Sequence, residues 1–262
     1  MNGPAGIMAL VLAETSAGAC GFLFLTPLWS EVRRGFFYLT GGILLALAGA
    51  TAAAAAAGHD TASASEGRIA VTLALALSGT TLLWLVLMAL RRRTVARVLG
   101  MASVPLAVGM LLAFARTADE PVASAFFQLL TGAVFTGAVL DGLLLGHWYL
   151  TDRKLTRAPI NRMALLLLAA VGLETAGVIV GGATAGGGHS ALNSLNPILT
   201  VAGSATWIAI GMVLCTGLIA VFIKLTLRGT RPQAVQSATG FFYLAVITAF
   251  TAELAAKVRF LP

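Results

Sequence analysis

The sequence predicts an all-α polytopic membrane protein with about eight transmembrane helices in four hairpins, and three observations predict it. Hydrophobic residues make up 58% of the 262 residues and charged residues only 10%, giving a mean hydropathy of +0.92. The apolar residues gather into runs of about 20, the length a helix needs to cross hydrocarbon. Between these runs, every second connection is rich in Lys or Arg. A soluble domain cannot hide so much apolar surface, and the runs lack the in–out alternation of barrel strands.

The first run, 5–28, follows "MNGPAG". That stretch has no basic n-region, so the run reads as a retained span rather than a cleaved signal. The turn "SEVRRG" leads to 36–57, which closes on the small-residue stretch "ATAAAAAAGHD". The third span, 69–90, ends at "RRRTVAR", and 98–115 returns to "RTADEP". The fifth, 122–150, ends at "TDRKLTRAPINR", and 163–183 returns to a Gly- and Asn-rich connection without charge. The last pair, 198–226 and 237–258, is joined by "RGTRPQAVQ". Residues 1–262 therefore read as one integral membrane domain, with no connection long enough to hold a soluble one.

Orientation follows from the basic residues. Arg33, Arg34, Arg91, Arg92, Arg93, Arg97, Arg153, Lys154, Arg157, Arg162, Lys224, Arg228 and Arg231 lie on alternate connections, whereas the other side holds only Arg68, Arg116, Lys257 and Arg259. The positive-inside rule then predicts cytoplasmic basic turns and both termini outside, in a multi-pass protein of the cell inner or plasma membrane. The formal charge of +7 marks this bias and the anionic leaflet beside it, not affinity for nucleic acid. Two internal echoes exist, "RRGFFYLTGG" with "ATGFFYLAVI" and "LAETSAGACG" with "GLETAGVIVG". They do not share one offset, so they define no clean repeat.

Chemistry has few candidates. Cys20 and Cys215 fall inside spans without a CxxC or a metal-type cluster, and read as packing thiols. Nucleotide-binding, nucleophile-elbow and zinc-protease motifs are absent. Four carboxylates sit within spans: Glu14, Asp141, Glu174 and Glu253. An acid in hydrocarbon costs about 2.5–3.5 kcal/mol even on the insertion scale, so such acids face the bundle interior and mark ion or proton routes. Glu14 shares a helical face with Gly18 and Gly21, and Glu174 with Gly177 and Gly181, by the 3.6-residue period. Each acid thus lies on a small-residue stripe of the kind that packs closely on a neighbour. Thr15 and Thr175 follow these acids as hydrogen-bond donors to the carboxyl or to the backbone.

Glu253 and Lys257 form an i,i+4 pair that reads as a structural salt bridge near the outer surface. Asp141 lies inside the boundary at "GLLLGHWYLTDRKL", on a face roughly 120° from His147, so the two make no ready dyad. Trp148 and Tyr149 are interfacial anchors. Arg153, Lys154 and Arg157 form a basic cytoplasmic face that solvates by default and suits acidic lipid or an anionic partner. His59 and His189 lie in connections, which leaves a bis-histidine haem b without ligands inside the chain. His147 stays a candidate single haem ligand, quinone hydrogen-bond partner or proton relay.

The leading expectation is an integral membrane subunit of a respiratory or redox complex. It would handle protons, with quinone as cofactor, through Glu14, Glu174, Asp141, His147 and Glu253. Redox partner subunits, or further copies of the chain, are the implied partners. Eight spans with both ends outside resemble the quinone-reactive anchor subunits of the NrfD and DmsC type, a likeness of architecture that no residue motif carries. The alternative is a proton-coupled secondary transporter or exporter of a small solute, with Glu14 and Glu174 as coupling acids. A third reading is a non-catalytic scaffold whose acids fix helix registry.

Overall fold

The structure, a computed structural model, describes residues 3–58, 64–118, 120–152, 154–184, 201–229 and 233–258. Arg153, Arg231, Arg259, His59 and His189 lie outside these residues. The chain runs α1 (Gly3–Leu25), α2 (Leu28–Glu31), α3 (Arg34–Ala57), α4 (Ala64–Ala89), α5 (Arg93–Ala115), α6 (Val122–Thr151), α7 (Ala158–Thr184), α8 (Val201–Leu227) and α9 (Gln233–Lys257). All but α2 are long and apolar enough to span a membrane, so the chain is a multi-pass membrane protein.

Several boundaries differ from the sequence reading: α4, α7 and α9 begin earlier, at Ala64, Ala158 and Gln233, and two further differences have local reasons. The first span stops at Leu25, because Pro27 has no N–H to continue the ladder, and the chain restarts as the single turn α2. α5 begins at Arg93, within the basic "RRRTVAR", since straight-chain Arg extends a helix into water at no propensity cost. The turn before it is tightened by Arg91 at φ 60°.

Within the membrane the helix backbone satisfies itself, and several Thr hydroxyls bond back to it. Thr15 donates to the Val11 carbonyl at 2.7 Å, Thr51 to Leu47 at 2.8 Å and Thr175 to Val171 at 2.8 Å. Each hydroxyl is thus bonded within its own helix, as a low-dielectric surrounding demands.

The helices form two up-and-down groups of four. In the first, α1 packs on α3, α3 on α4, α4 on α5, and α5 back on α1; in the second, α6, α7, α8 and α9 close in the same way. The groups meet mainly through α1 against α6. Neither sequence echo matches this division. The echoes relate α3 to α9 and α1 to α7, whereas α1 and α6 occupy corresponding places in the two groups.

Small residues set the α1–α6 approach. A Cβ on Gly18 would collide with the Ala133 carbonyl and lie 2.9 Å from the Gly137 Cα, and one on Gly137 would strike the Gly18 backbone. Backbones meet here directly, as small-residue stripes allow. At the basic end of the bundle, two ion pairs tie the groups together. Arg162 of α7 grips Glu31 of α2 through two bonds of 2.9 Å, and Arg33 Nε lies 3.1 Å from Asp152 Oδ2.

Gly18→Leu should therefore lower stability in detergent by at least about 1–3 kcal/mol, the cost of overpacking a fixed contact. Gly21→Leu, at a position where a Cβ meets nothing within 4 Å, should leave the unfolding temperature near wild type. A second expectation concerns acid. The Arg162 hydrogen bonds hold the Glu31 carboxyl below its ordinary value of 4.5. Its contribution is then present in full above that value and fades as pH falls through the lower folded value. The melting-temperature difference between wild type and Glu31→Gln, followed by thermal unfolding against pH, should be flat near neutrality and shrink below 4.5. A difference that persists unchanged at lower pH would contradict the pairing.

Candidate functional site

The sequence places two acids on small-residue stripes, and folding brings both to one point. Glu14 projects from α1, Glu174 from α7, and Glu253 and Lys257 from α9. Their exposures are 0%, 2%, 0% and 1%, so solvent reaches none of them. Lys257 Nζ lies 2.6 Å from Glu14 Oε1 and 3.1 Å from Glu253 Oε2. Glu174 is within hydrogen-bonding reach of Glu253 and Thr131 and feels the Lys257 charge. Glu14 also interacts electrostatically with Glu253 and Glu174. Four ionisable groups thus form one centre, drawn from both helix groups.

α6 provides the wall. A Cβ on Gly132 would stand 2.5 Å from Glu14 Oε1 and 2.9 Å from Glu253 Oε2, so only glycine leaves the carboxyl groups their places. One residue earlier, Thr131 donates to the Gln128 carbonyl at 3.1 Å and packs against Gly177 of α7. The Gly177 position on the Glu174 stripe is thereby explained: it admits Thr131 beside the acid. Gly18 on the Glu14 stripe serves the α1–α6 contact instead. Thr15 and Thr175 bond their own backbones and not the acids.

Charge does not balance in this centre. Three carboxyl groups face one ammonium, and Glu14 Oε2 and Glu174 Oε2 have no hydrogen-bond partner among the described residues. Ions removed from water are costly even when paired, and an unbalanced surplus is costlier still. A purely structural pair needs one acid and one base; two further acids in contact with it add desolvation and no new partner.

The remaining candidates lie elsewhere. Asp141 is fully buried, with both carboxylate oxygens lacking a hydrogen-bond partner among the described residues. It sits nine residues along α6 from Gly132, a rise of about 13 Å at ~1.5 Å per residue, toward the basic end. Its electrostatic neighbour is Cys20, whose thiol lies 3.3 Å from the Ser103 hydroxyl. His147 is exposed and has no hydrogen-bond partner among the described residues. Trp148 closes over Gly35 and Phe36, and the Tyr149 hydroxyl donates to the Thr156 carbonyl, as interfacial anchors do. Of the basic face, Arg157 donates to the Gly229 carbonyl and the Lys154 amide to Asp152 at 3.3 Å. Among the described residues, no group of three or more His, Cys, Asp or Glu has a metal-binding arrangement.

No protein-family model, curated protein or solved structure matches the chain. The site has therefore to be read from its own chemistry.

Sequence reasoning missed Lys257 as a member of this centre, along with Gly132 and Thr131. The i,i+4 spacing of Glu253 and Lys257 is visible in the sequence, but it reads there as a structural salt bridge near the outer surface. α1 and α6 instead flank this end of α9 and bury it. A cycle of substitutions should show the coupling. Lys257→Met, which leaves three acids without their cation, should destabilise by about 3–5 kcal/mol, the range for breaking a buried pair. Glu14→Gln should cost less, because Glu253 still faces the lysine. Lys257→Met combined with Glu14→Gln should recover part of the loss in thermal or denaturant unfolding; simple additivity would argue against a shared centre.

Proposed function

We propose that this protein moves protons within the membrane, through the centre formed by Glu14, Glu174, Glu253 and Lys257. One observation carries the reading: three fully buried carboxyl groups share a single ammonium inside a membrane-spanning bundle. Electroneutrality there requires the two surplus carboxyls to hold protons or to meet a second cation. A centre that must hold removable protons at membrane depth can load and release them, and intramembrane acids that face a bundle interior are the usual parts of such relays. Asp141 supplies a fourth buried acid, on the side of the basic turns. With those turns in the cytoplasm, as the positive-inside rule predicts, it would lie between the cytoplasm and the centre.

Within this reading the protein serves as the membrane subunit of a respiratory or redox assembly that handles quinone. An apolar groove of about 330 Å³ between the two helix groups favours it; Ala17, Gly18, Gly21, Leu130, Ala133 and Leu166 are among its walls. Ala17 and Gly18 lie within about one helical turn of Glu14, so an isoprenoid-like tail in the groove would bring a quinone ring toward the centre. Electrons would come from a partner subunit or from the quinone pool. A second reading, a proton-coupled transporter, is favoured by a different observation. Glu14 belongs to one helix group and Lys257 to the other, so rocking of the groups would break and remake their ion pair.

The test compares wild type with Glu14→Gln combined with Glu174→Gln, both checked for monodispersity by gel filtration. In membrane vesicles supplied with quinol, the wild type should support proton movement that a pH-sensitive dye reports, and the double variant should fall to background. In proteoliposomes of the purified chain under an imposed potential, proton flux that depends on Glu14 and Glu174 and needs no quinol would favour the transporter. A double variant that folds and leaves proton movement unchanged in both systems overturns the proposal.

A further inference from the structure

The basic end of the first helix group holds a cavity unrelated to the buried acids. Its volume is about 490 Å³, and Trp29, Ser30, Val32, Arg33, Arg34, Phe37, Met88 and Arg93 line it. Three of these are arginines and none is an acid. An adjoining cavity of about 300 Å³ shares Trp29 and Ser30 and adds a fourth guanidinium, Arg97, with Phe24, Leu25 and Met101.

The local charge is uncompensated. Glu31 is held by Arg162, and Asp152 by Arg33. Arg34, Arg93 and Arg97 form no ion pair among the described residues, and the buried Arg34 Nε has no hydrogen-bond partner among them. Helix polarity aggravates the excess. Arg34 opens α3 and Arg93 opens α5, and neither helix has an acidic residue in its first turn or a side-chain cap. Two positive helix ends and a set of guanidinium groups therefore converge on one cavity.

The walls distinguish the source of an anion. Trp29 packs edge-on against Phe37 at 4.8 Å and lies 6.2 Å from Trp84, so the floor is a fixed aromatic surface. The adjoining cavity leads to Leu25 and Met101, which are 65% and 49% exposed on spanning helices. A soluble anion has no use for that apolar exit, whereas an acyl chain would lie along it. We propose that this cavity is a binding site for the phosphate of an anionic phospholipid. Arg34 and Arg93 would hold the phosphate, Arg97 its outer side, and the chain would follow the Leu25–Met101 surface. The site is independent of the proton-handling centre and does not rest on it.

The test uses full-length protein purified in detergent, where no bilayer surface charge attracts lipid generally. Native mass spectrometry should show phosphatidylglycerol retained over phosphatidylcholine. Arg34→Gln with Arg93→Gln should weaken that retention roughly ten-fold or more, as loss of two basic contacts to an anionic lipid implies. Arg92→Gln with Arg228→Gln, which removes equal charge outside both cavities, should leave it unchanged. Equal retention of the two lipids, or equal losses in the two double variants, would overturn the proposal. So would displacement of the lipid by inorganic phosphate at comparable concentration, which would assign the site to a free anion. Gel filtration of the Arg34→Lys and Arg93→Lys variants separates misfolding from lost binding, since both retain the charge and should bind with intermediate strength.

Discussion

The close approach of α1 and α6 is the constraint on which the rest of the molecule depends. Gly18 meets Ala133 and Gly137 with no side chain between the backbones. In hydrocarbon, no hydrophobic effect pushes two apolar helices together, so contact of this kind relies on dispersion and on small residues that permit it. One turn away, the same contact fixes the distance from Glu14 to the Gly132 wall and hence to Glu253. If α1 stood farther off, Glu14 would lose the ammonium on α9 and remain as an isolated acid in the bundle. Packing and electrostatics are thus one problem here, solved by glycine on both sides.

Low dielectric decides what the centre can be. At an effective dielectric of about 20, unit charges ~4 Å apart interact by about 4 kcal/mol. Removing an ion from water costs several kcal/mol per ion after relaxation. One ammonium offsets one carboxylate on those terms. It does not offset three, and among the described residues Glu14 Oε2 and Glu174 Oε2 have no hydrogen-bond donor to make up the difference. A scaffold role would be met more cheaply by a neutral hydrogen bond of the Thr216–Thr248 type, whose oxygens lie 2.7 Å apart between α8 and α9.

Much of the fold was legible in the sequence because membrane solvation acts on composition, span by span. Run length and the alternation of basic turns located eight helices, and the stripes at Gly18 and Gly177 marked two of the acid-bearing faces. Helix neighbours were not legible, because neither hydropathy nor spacing records which stripe meets which. Glu14 and Glu174 therefore appeared as two like sites when they belong to one. Glu253 and Lys257 appeared as a surface pair because their depth depends on α1 and α6 flanking the end of α9. Asp141 is buried and His147 exposed, a difference that helical phase makes legible because both lie on a single helix whose periodicity fixes their relation. The two echoes define no repeat in the fold, because interfacial aromatics and small-residue acid stripes recur wherever their local physics recurs, whatever the topology.

The position of the centre across the two helix groups has a further consequence. Glu253 and Lys257 share α9 and keep their distance whatever the groups do, whereas the Lys257–Glu14 pair spans the α1–α6 boundary. The groups are pinned at the basic end by Glu31–Arg162 and Arg33–Asp152, which lie in or beside water and are individually weak. The buried pair has no screening solvent, so small changes in separation alter its energy steeply. A shift that lengthened it would strand Glu14 as an unpaired acid and leave Lys257 with Glu253. Glu14 would then be stable only with a proton. In the proposed proton-handling role, motion between the groups and proton occupancy at Glu14 would be linked through this pair, each biasing the other. Such a linkage would serve either of the proposed readings, redox-driven or solute-driven, and it would rest on the placement of one lysine at the last turn of α9.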